Sequence, residues 1–277
     1  MSGAVMRVAG PEDVGMMLDW AAAEGWNPGL EDAAAFLAAD PDGFFVAEVA
    51  GVPAACIAVV NHSDDHAFLG LYICREDFRG QGIGYALWQY ALTHAGGRNV
   101  GLDGVAAQEA NYARSGFVRT GATLRFEGPA PEPGPGVRAM EAGDMGAIAA
   151  LDRLACGMAR PAFLDAWVAP ARTRRTFVLE GGREIEGFAT VRLCREGCKV
   201  GPVVAADPGS ALALAGAAAA EMGQGRVILD VPEARTGMIL ALESAGFGMG
   251  FFTARMVRGD PPEAHPSLFA VASMELG

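Results

Sequence analysis

The sequence is poor in lysine and in charge as a whole. Among its 277 residues there is one lysine, Lys199, and charged residues make up 19%. The net charge is −12 at pH 7 and the pI is about 4.8, so the chain lacks the basic surface that nucleic-acid binding needs. An acidic surface instead favours the approach of a cationic partner. The hydrophobic content of 51% is ample for a buried core.

Cysteines and long apolar runs are also scarce. The five cysteines form no dense framework, so we expect reduced thiols, and Cys194-x-x-x-Cys198 has no second pair to complete a zinc site. The polar turn 62–66 contains two histidines, and we expect no metal there either. Residues 1–7 show no basic region before an apolar core, and the tract 211–220 is too short to span a bilayer. We therefore expect a cytoplasmic protein.

One glycine-rich segment, Arg79-Gly80-Gln81-Gly82-Ile83-Gly84, carries a chemical signal. It follows an apolar run at 68–74 and precedes a helix-like stretch at 85–92. A strand, a glycine turn and a helix start in this order direct free backbone N–H groups and the positive end of the helix dipole at one point, which suits a phosphate. No lysine follows the glycines as in a Walker loop, and the G-x-G-x-G spacing misses the Rossmann fingerprint. A glycine turn without a ligand remains the alternative.

A second unit follows in the sequence. The apolar run 100–105 reads as a buried strand, and the segment 108–117 reads as a short helix that ends at Gly116. Tyr112 stands four residues before Gly116-Phe117. By itself Tyr112 would be read as a half-buried aromatic residue on an amphipathic helix. The Arg-x-x-Gly-x-Gly turn followed by Tyr-x-x-x-Gly-Phe resembles the GCN5-related N-acetyltransferase (GNAT) family.

The resemblance implies an activity and a coenzyme site. Two adjacent parallel strands, at about 67–75 and 98–105, would splay apart and hold the pantetheine arm of acetyl-CoA between them. The reaction would move an acetyl group to a primary amine of a small molecule or peptide, and Tyr112 would protonate the leaving thiolate as general acid. The residues implied for coenzyme binding are Ile73, Cys74, Arg75, Arg79, Gly80, Gln81, Gly82, Ile83, Gly84, Tyr85 and Asn111.

The general base stays open at this point. Asp103 lies in an otherwise apolar run, where a carboxylate is costly unless it is paired, and it is the first candidate for a catalytic base. A structural role is the alternative, and Glu109, Asp65, Glu24 and a water chain are further candidates. The turn after the first helix shapes the acceptor pocket in GNAT enzymes, so Glu24, Trp26 and Asn27 are expected to bind the acceptor. For Trp26 the alternative is an aromatic residue of the core.

The segment 129–136, almost all proline and glycine, reads as a stiff linker between two similar halves. Four features of the first half recur in the second, in the same order and at a near-constant offset, which indicates duplication. Arg7 and Asp13 correspond to Arg138 and Asp144, 45–48 to 177–180, 100–103 to 227–230, and 115–117 to 245–247. The sequence predicts an α+β fold with two tandem GNAT-like domains, 1–128 and 137–277. Each is a mixed, mainly antiparallel sheet flanked by helices.

The second half differs where the chemistry would occur. It has no Arg-x-x-Gly-x-Gly turn, Asp207 would repel a pyrophosphate, and Leu242 stands in the place of Tyr112. The chain thus resembles bacterial tandem-GNAT proteins with a working first domain and a degenerate second one. We expect the second domain to extend the acceptor pocket as a lid or to serve interactions. A non-catalytic acetyl-CoA sensor, transfer of a longer acyl group, use of both halves and a homodimer stay open.

Overall fold

The computed structural model describes residues 3–182 and 184–277. Its first half contains, in chain order, β1 Ala4–Val8, α1 Pro11–Ala23, α2 Asp32–Ala39, β2 Phe44–Val49, β3 Val52–Asn61, β4 His66–Cys74, α3 Ile83–Leu92, β5 Asn99–Gly104, α4 Glu109–Arg114 and β6 Val118–Pro129. The second half contains β7 Val137–Ala139, α5 Met145–Cys156, α6 Pro161–Val168, β8 Arg174–Gly181, β9 Glu184–Leu193, β10 Cys198–Val204, α7 Pro208–Glu221, β11 Arg226–Pro232, α8 Thr236–Ser244, β12 Gly248–Arg258 and β13 Leu268–Ala270.

The strands of both halves join in one sheet. The described strands run in the order β1-β2-β3-β4-β5-β12-β6-β11-β10-β9-β8-β7, and β13 pairs with β10. Strand β12 lies between β5 and β6, and β6 lies between β12 and β11, so the two halves exchange their last long strands. The mixed, mainly antiparallel α+β architecture is confirmed. The exchange of strands is a further feature that the sequence did not indicate, and the domain limits 1–128 and 137–277 stay a prediction.

Two reciprocal ion pairs lie at the exchanged strands. Asp103 on β5 accepts hydrogen bonds from Arg255 on β12, at 3.0 Å to Nε and 2.6 Å to Nη2. Asp230 on β11 accepts from Arg125 on β6, at 2.7 Å to Nε and 3.0 Å to Nη2. Each carboxylate thus pairs with an arginine of the other half, and breaking one such buried pair leaves an uncompensated charge.

The first helix of each half is fixed in the same way. Arg7 donates to both carboxylate oxygens of Asp13, at 2.6 and 2.9 Å. Arg138 makes the same two bonds to Asp144 at the same distances. Asp13 and Asp144 also accept a backbone N–H three residues earlier, so each closes the start of a helix. This agreement supports the duplication that the sequence indicates.

The helices cover both faces of the sheet. Helices α3 and α4 share an apolar core with the first-half strands, and α7 and α8 share one with the second-half strands. On the opposite face α2 packs against α6, where Phe36 stacks on Trp167 with ring centroids 6.0 Å apart. Leu276, near the end of the described chain, is buried in the same cluster as both aromatic rings. Among the described helices, none has the length and apolar character to cross a membrane.

Candidate active site

A gap opens between the parallel strands β4 and β5. Their residues pair from His66–Asn99 to Leu69–Leu102, and the pairing ends there although both strands continue. At this point β4 contains a bulge, because Leu71 and Tyr72 lie opposite the single residue Ile57 of β3. Leu71 has a φ of +49°, which is rare for a branched side chain. The two strand ends therefore diverge and leave backbone groups facing a space between them.

The glycine turn leads from this gap into α3. Gly80 and Gly82 have φ of 74° and 78°, and Gly82 is the N-cap of the helix. A Cβ on either residue would meet no atom within 4 Å, so the space in front of the turn is open. The first N–H groups of α3, on Ile83, Gly84 and Tyr85, have no partner within the helix. The turn thus fits an anion such as a pyrophosphate.

The side chains at the turn are held mainly by local bonds. Arg79 donates from Nε to the Cys74 carbonyl at 2.9 Å, and its Nη2 lies 3.2 Å from Glu24 Oε1. Gln81 donates to the Asp77 carbonyl at 3.0 Å. Ile73 is buried, whereas Tyr85 is exposed, so what Tyr85 offers an anion is its backbone N–H. Residues 73–75 and 79–85 lead from the end of β4 to the first turn of α3, and their contact with a coenzyme stays a prediction.

Asn111 lies on the exposed side of α4. Its side chain bonds to those of Gln108 and Arg114, which are on the same helical segment. Gln108 lines the cavity described below, but Asn111 does not. The predicted contact between Asn111 and the coenzyme stays a prediction.

Tyr112 faces a cavity of about 80 Å³ at the gap. Its ring is buried and stacks on Trp88, with centroids 5.4 Å apart and an interplanar angle of 18°. Gly104 leaves room for the ring, because a Cβ there would lie 2.7 Å from Tyr112 Cδ2. Burial raises the pKa of Tyr112 above its ordinary value, so the phenol stays protonated at neutral pH. The cavity is lined by Trp26, Leu69, Gly70, Leu71, Tyr72, Leu102, Asp103, Val105, Gln108, Tyr112, Arg125, Phe251, Thr253, Met274 and Glu275.

Asp103 lines the cavity, but its carboxylate is fully engaged. Besides the two bonds from Arg255, its Oδ1 accepts from the hydroxyls of Thr123 at 3.0 Å and Thr253 at 3.1 Å. Its side chain has no exposed surface. Burial raises the pKa of Asp103 above its ordinary value, although Arg255 acts in the opposite direction. These contacts give the carboxylate a structural role at the exchanged strands.

The remaining candidate bases lie away from this cavity. Glu109 is 3.4 Å from Arg119 at the surface, and Asp65 is exposed in the turn before β4. Glu24 is exposed and paired with Arg79. None of the three is among the lining residues.

The turn after α1 binds to the second half of the chain. The Trp26 carbonyl accepts hydrogen bonds from Arg125 Nη1 at 3.0 Å and from Lys199 Nζ at 2.8 Å. The Asn27 side chain donates to the Glu196 carbonyl at 2.9 Å. Trp26 lines the cavity, and Asn27 does not. The structure therefore brings Trp26 to the site and places Asn27 in an interdomain contact.

Several lining residues come from the second half and were not expected from the sequence. Phe251 and Thr253 arrive on the exchanged strand β12, and Met274 and Glu275 belong to the segment 271–277. Arg125, on β6, is held at the cavity by Asp230. Phe251 and Thr253 reach the cavity through the strand exchange, and Met274 and Glu275 are far from the motifs in sequence, so no local pattern indicates them.

The corresponding place in the second half is filled by its own chain. Strands β10 and β11 pair only at Cys198–Val227 and Lys199–Ile228. Strand β13 then pairs with β10, and the Val271 N–H donates to the Asp230 carbonyl at 2.9 Å, so β13 occupies the gap. At the start of α7, Asp207 accepts a hydrogen bond from the Ser210 N–H at 2.9 Å, which puts a carboxylate where an anion would bind.

Comparisons with known proteins match both halves of the chain to one family. Residues 14–119 match a family model described as "Acetyltransferase (GNAT) family", and residues 148–270 match one described as "Acetyltransferase (GNAT) domain". A curated relative, holothin acyltransferase of Pseudoalteromonas sp. (strain SANK 73390), is 34% identical over 279 residues. The alignment covers 98% of this chain and 94% of the relative.

Solved structures share the fold over nearly the whole length. A candidate acetyltransferase from Pyrococcus horikoshii has a TM-score of 0.84 at 22% identity and covers 100% of this chain and 97% of its own. A tandem GNAT protein from the clavulanic acid biosynthesis pathway has a TM-score of 0.63 at 15% identity, covering 93% of this chain and 99% of its own. At these identities the likeness concerns the fold alone.

Proposed function

The chain belongs to the GCN5-related N-acetyltransferase (GNAT) family of acyltransferases, and we propose that it moves an acetyl group from acetyl-CoA to a primary amine of a small molecule or peptide. The observation that carries the proposal is the gap between β4 and β5, with the glycine turn at its end and Tyr112 at its side. The relative of 34% identity is named for acyl transfer to holothin, which supports acyl transfer to an acceptor here.

The residues of the first half fit acetyl-CoA. The backbone N–H groups of residues 81–85 would bind the pyrophosphate, and the diverging ends of β4 and β5 would pair with the pantetheine arm like an added strand. When bound, acetyl-CoA supplies the thioester that is attacked. A backbone N–H at the end of β4, within residues 73–75, would stabilise the charge that develops on the carbonyl oxygen.

Tyr112 is the proposed general acid. The leaving thiolate is a modest base, with a pKa near 8.5 by analogy with cysteine, and a buried phenol whose pKa is raised remains available to protonate it. Tyr72, whose pKa burial raises to about 12, lines the same cavity. Asp103 is a less suitable base than its sequence position indicated, because four hydrogen bonds hold its carboxylate.

The second half completes the acceptor side of the site without a coenzyme site of its own. Its gap contains β13, its helix α7 starts with a carboxylate, and Leu242 is buried where Tyr112 would stand. We therefore propose one acetyl-CoA site per chain. Phe251, Met274 and Glu275 give the second half a wall of the acceptor pocket.

The Tyr112→Phe variant tests the assignment. We expect turnover to fall by about 10²-fold or more, because a general acid contributes roughly 10²–10⁴-fold, while the Kd for acetyl-CoA stays nearly unchanged. Thiol release with a panel of amines, amino acids and amino sugars measures turnover, and calorimetric titration measures the Kd. Tyr90→Phe, at a half-exposed tyrosine of α3, is the matched control.

Two outcomes would contradict the proposal at different levels. Unchanged turnover in Tyr112→Phe would remove Tyr112 from the mechanism. A wild-type protein that binds acetyl-CoA but releases no CoA with any amine would favour the non-catalytic sensor instead.

A further inference from the structure

We propose that Glu275, from the second half of the chain, binds the ammonium group of the acceptor and takes its proton. The inference rests on the proposed function and names the base that the sequence left open. Glu275 lines the cavity that Tyr112 lines, and it is 3% exposed. Among the described residues, no hydrogen-bond donor reaches its buried Oε2. A buried carboxylate in that state is unfavourable unless a cation pairs with it.

Specific contacts hold the segment 271–277 in place. The Leu276 carbonyl accepts a hydrogen bond from His62 Nε2 at 2.7 Å, and the Gly277 main-chain oxygen accepts from Arg160 Nη1 at 2.7 Å. The Leu276 N–H donates to Ser273 Oγ at 3.0 Å. Gly70 of β4 allows the segment to approach, because a Cβ there would lie 2.8 Å from the Glu275 carbonyl carbon. Glu275 is therefore presented to the gap on a fixed backbone.

The cations around Glu275, which are Arg125, Lys199 and Arg192, donate to other groups. Arg125 donates to both oxygens of Asp230 and to the Trp26 carbonyl. Lys199 donates from Nζ to the same carbonyl. Arg192 donates to Asp32 and to the Ala272 carbonyl. None of the three forms an ion pair with Glu275 within 4.0 Å among the described residues. Asp103, which also lines the cavity, already accepts four hydrogen bonds, so the two carboxylates of the cavity differ in what they can accept.

The proton balance assigns complementary roles to Glu275 and Tyr112. Glu275 takes one proton from the ammonium group, which leaves a neutral amine able to attack. The N–C bond forms at the thioester carbonyl and the C–S bond breaks. Tyr112 donates its proton to the thiolate. The nitrogen then loses a second proton, which restores the Tyr112 hydroxyl. Glu275 then releases its proton to solvent, so the sum is an amide, CoA and one proton.

The first test is Glu275→Gln, which keeps the shape of the side chain. At pH 7 we expect turnover with amines to fall about 10²-fold, with an unchanged Kd for acetyl-CoA as the check on folding. The deficit should narrow as the pH approaches the pKa of the free amine, since the variant then receives a neutral substrate. Glu275→Asp should recover part of the activity, and Glu263→Gln, at an exposed position before the segment, should match the wild type.

Other titratable or charged groups surround Glu275. Those that line the cavity or pack against the segment are Tyr72, Tyr112, Asp103 and Arg125, with His62, Arg160, Arg192, Lys199 and Asp230 behind them. His62 has a pKa lowered to about 4 by burial. It stays neutral over the pH range of the assay.

A second test needs no variant. A water-soluble carbodiimide joins a bound amine to the carboxylate beside it, and mass spectrometry of the wild-type protein treated with benzylamine should find the amide at Glu275. Full turnover of a folded Glu275→Gln at pH 7, or coupling only at other carboxylates, would overturn the assignment. A wild-type protein that acetylates no amine would instead overturn the proposed function itself.

Discussion

A methyl group added at Gly104 should displace the ring of Tyr112 and so impair its function, although the tyrosine itself is unchanged. The added Cβ would lie 2.7 Å from Tyr112 Cδ2 and closer still to Cε2. Since non-bonded carbon atoms prefer about 3.5–4.0 Å, the ring has to move by roughly 1 Å. A displacement of that size costs about 10²-fold in rate when the group takes part in the reaction. We expect Gly104→Ala to lower kcat by about this factor.

Gly128, which packs against Phe247 of the second half, offers a matched control for this variant. A Cβ at Gly128 would lie 2.7 Å from Phe247 Cδ1, which is the same overlap against a buried ring far from Tyr112. Overpacking of this kind costs about 1–3 kcal/mol of stability, so both variants should unfold at lower urea concentration. Only Gly104→Ala should lose kcat in the thiol-release assay.

A double variant separates displacement of the phenol from other effects. If Gly104→Ala acts through the Tyr112 hydroxyl, adding it to Tyr112→Phe should lower kcat little further. The reasoning is refuted if a folded Gly104→Ala keeps full kcat, or if Gly128→Ala loses as much. A raised Kd for acetyl-CoA in Gly104→Ala would show that the methyl group acts on the coenzyme instead.

Three further predictions concern the glycine turn and the exchanged strands. In Gly82→Val the turn has to hold a branched residue at a φ of 78°, which should cost about 1–2 kcal/mol of conformational energy and raise the Kd for acetyl-CoA about tenfold. An unchanged Kd in calorimetric titration would argue against this turn as the pyrophosphate site. Asp230→Asn should lower the free energy of unfolding by about 3–5 kcal/mol, because it leaves Arg125 buried without a counter-ion, and unaltered urea unfolding would contradict that role. Although burial opposes ionisation of Asp230, Arg125 and Lys199 hold its pKa below the ordinary value. The ionised Asp230 therefore stabilises the fold above about pH 4, and this stabilisation is lost as the pH falls through the lower pKa of the folded state. The pKa of Asp103 is raised in the folded state, so its ionisation has the opposite effect and lowers stability as the pH rises through that pKa. Urea unfolding midpoints measured from about pH 3 to 6 should therefore fall less on the acid side in Asp230→Asn than in the wild type.

Local signals predicted much of the fold, and they also predicted the glycine turn that we propose binds the coenzyme. The turn 79–84 and Tyr112 before Gly116-Phe117 depend on neighbours in sequence, because a glycine turn and a helix end are specified within a few residues. The strands expected at 67–75 and 98–105 are found at His66–Cys74 and Asn99–Gly104. The paired Arg7–Asp13 and Arg138–Asp144 likewise follow the echoes in the sequence.

Apart from Trp26, the cavity residues that we propose for the acceptor could not be predicted, because contacts between the halves bring them together. Nothing near Asp103 indicates that its partner is Arg255, since the pairing arises only when β12 enters beside β5. Glu275 has no motif around it, and its position depends on Gly70, which is far away in the sequence. The sole lysine, Lys199, carried no signal beyond its rarity, yet it binds the turn at Trp26.

The central claim is that the chain has one acetyl-CoA site, formed by its first half. A crystal structure of the protein with acetyl-CoA tests it most directly. The account predicts one coenzyme per chain, with the pyrophosphate at residues 81–85 and the thioester between Tyr112 and Glu275. A coenzyme between β10 and β11, with β13 displaced, or two coenzymes per chain, would contradict it.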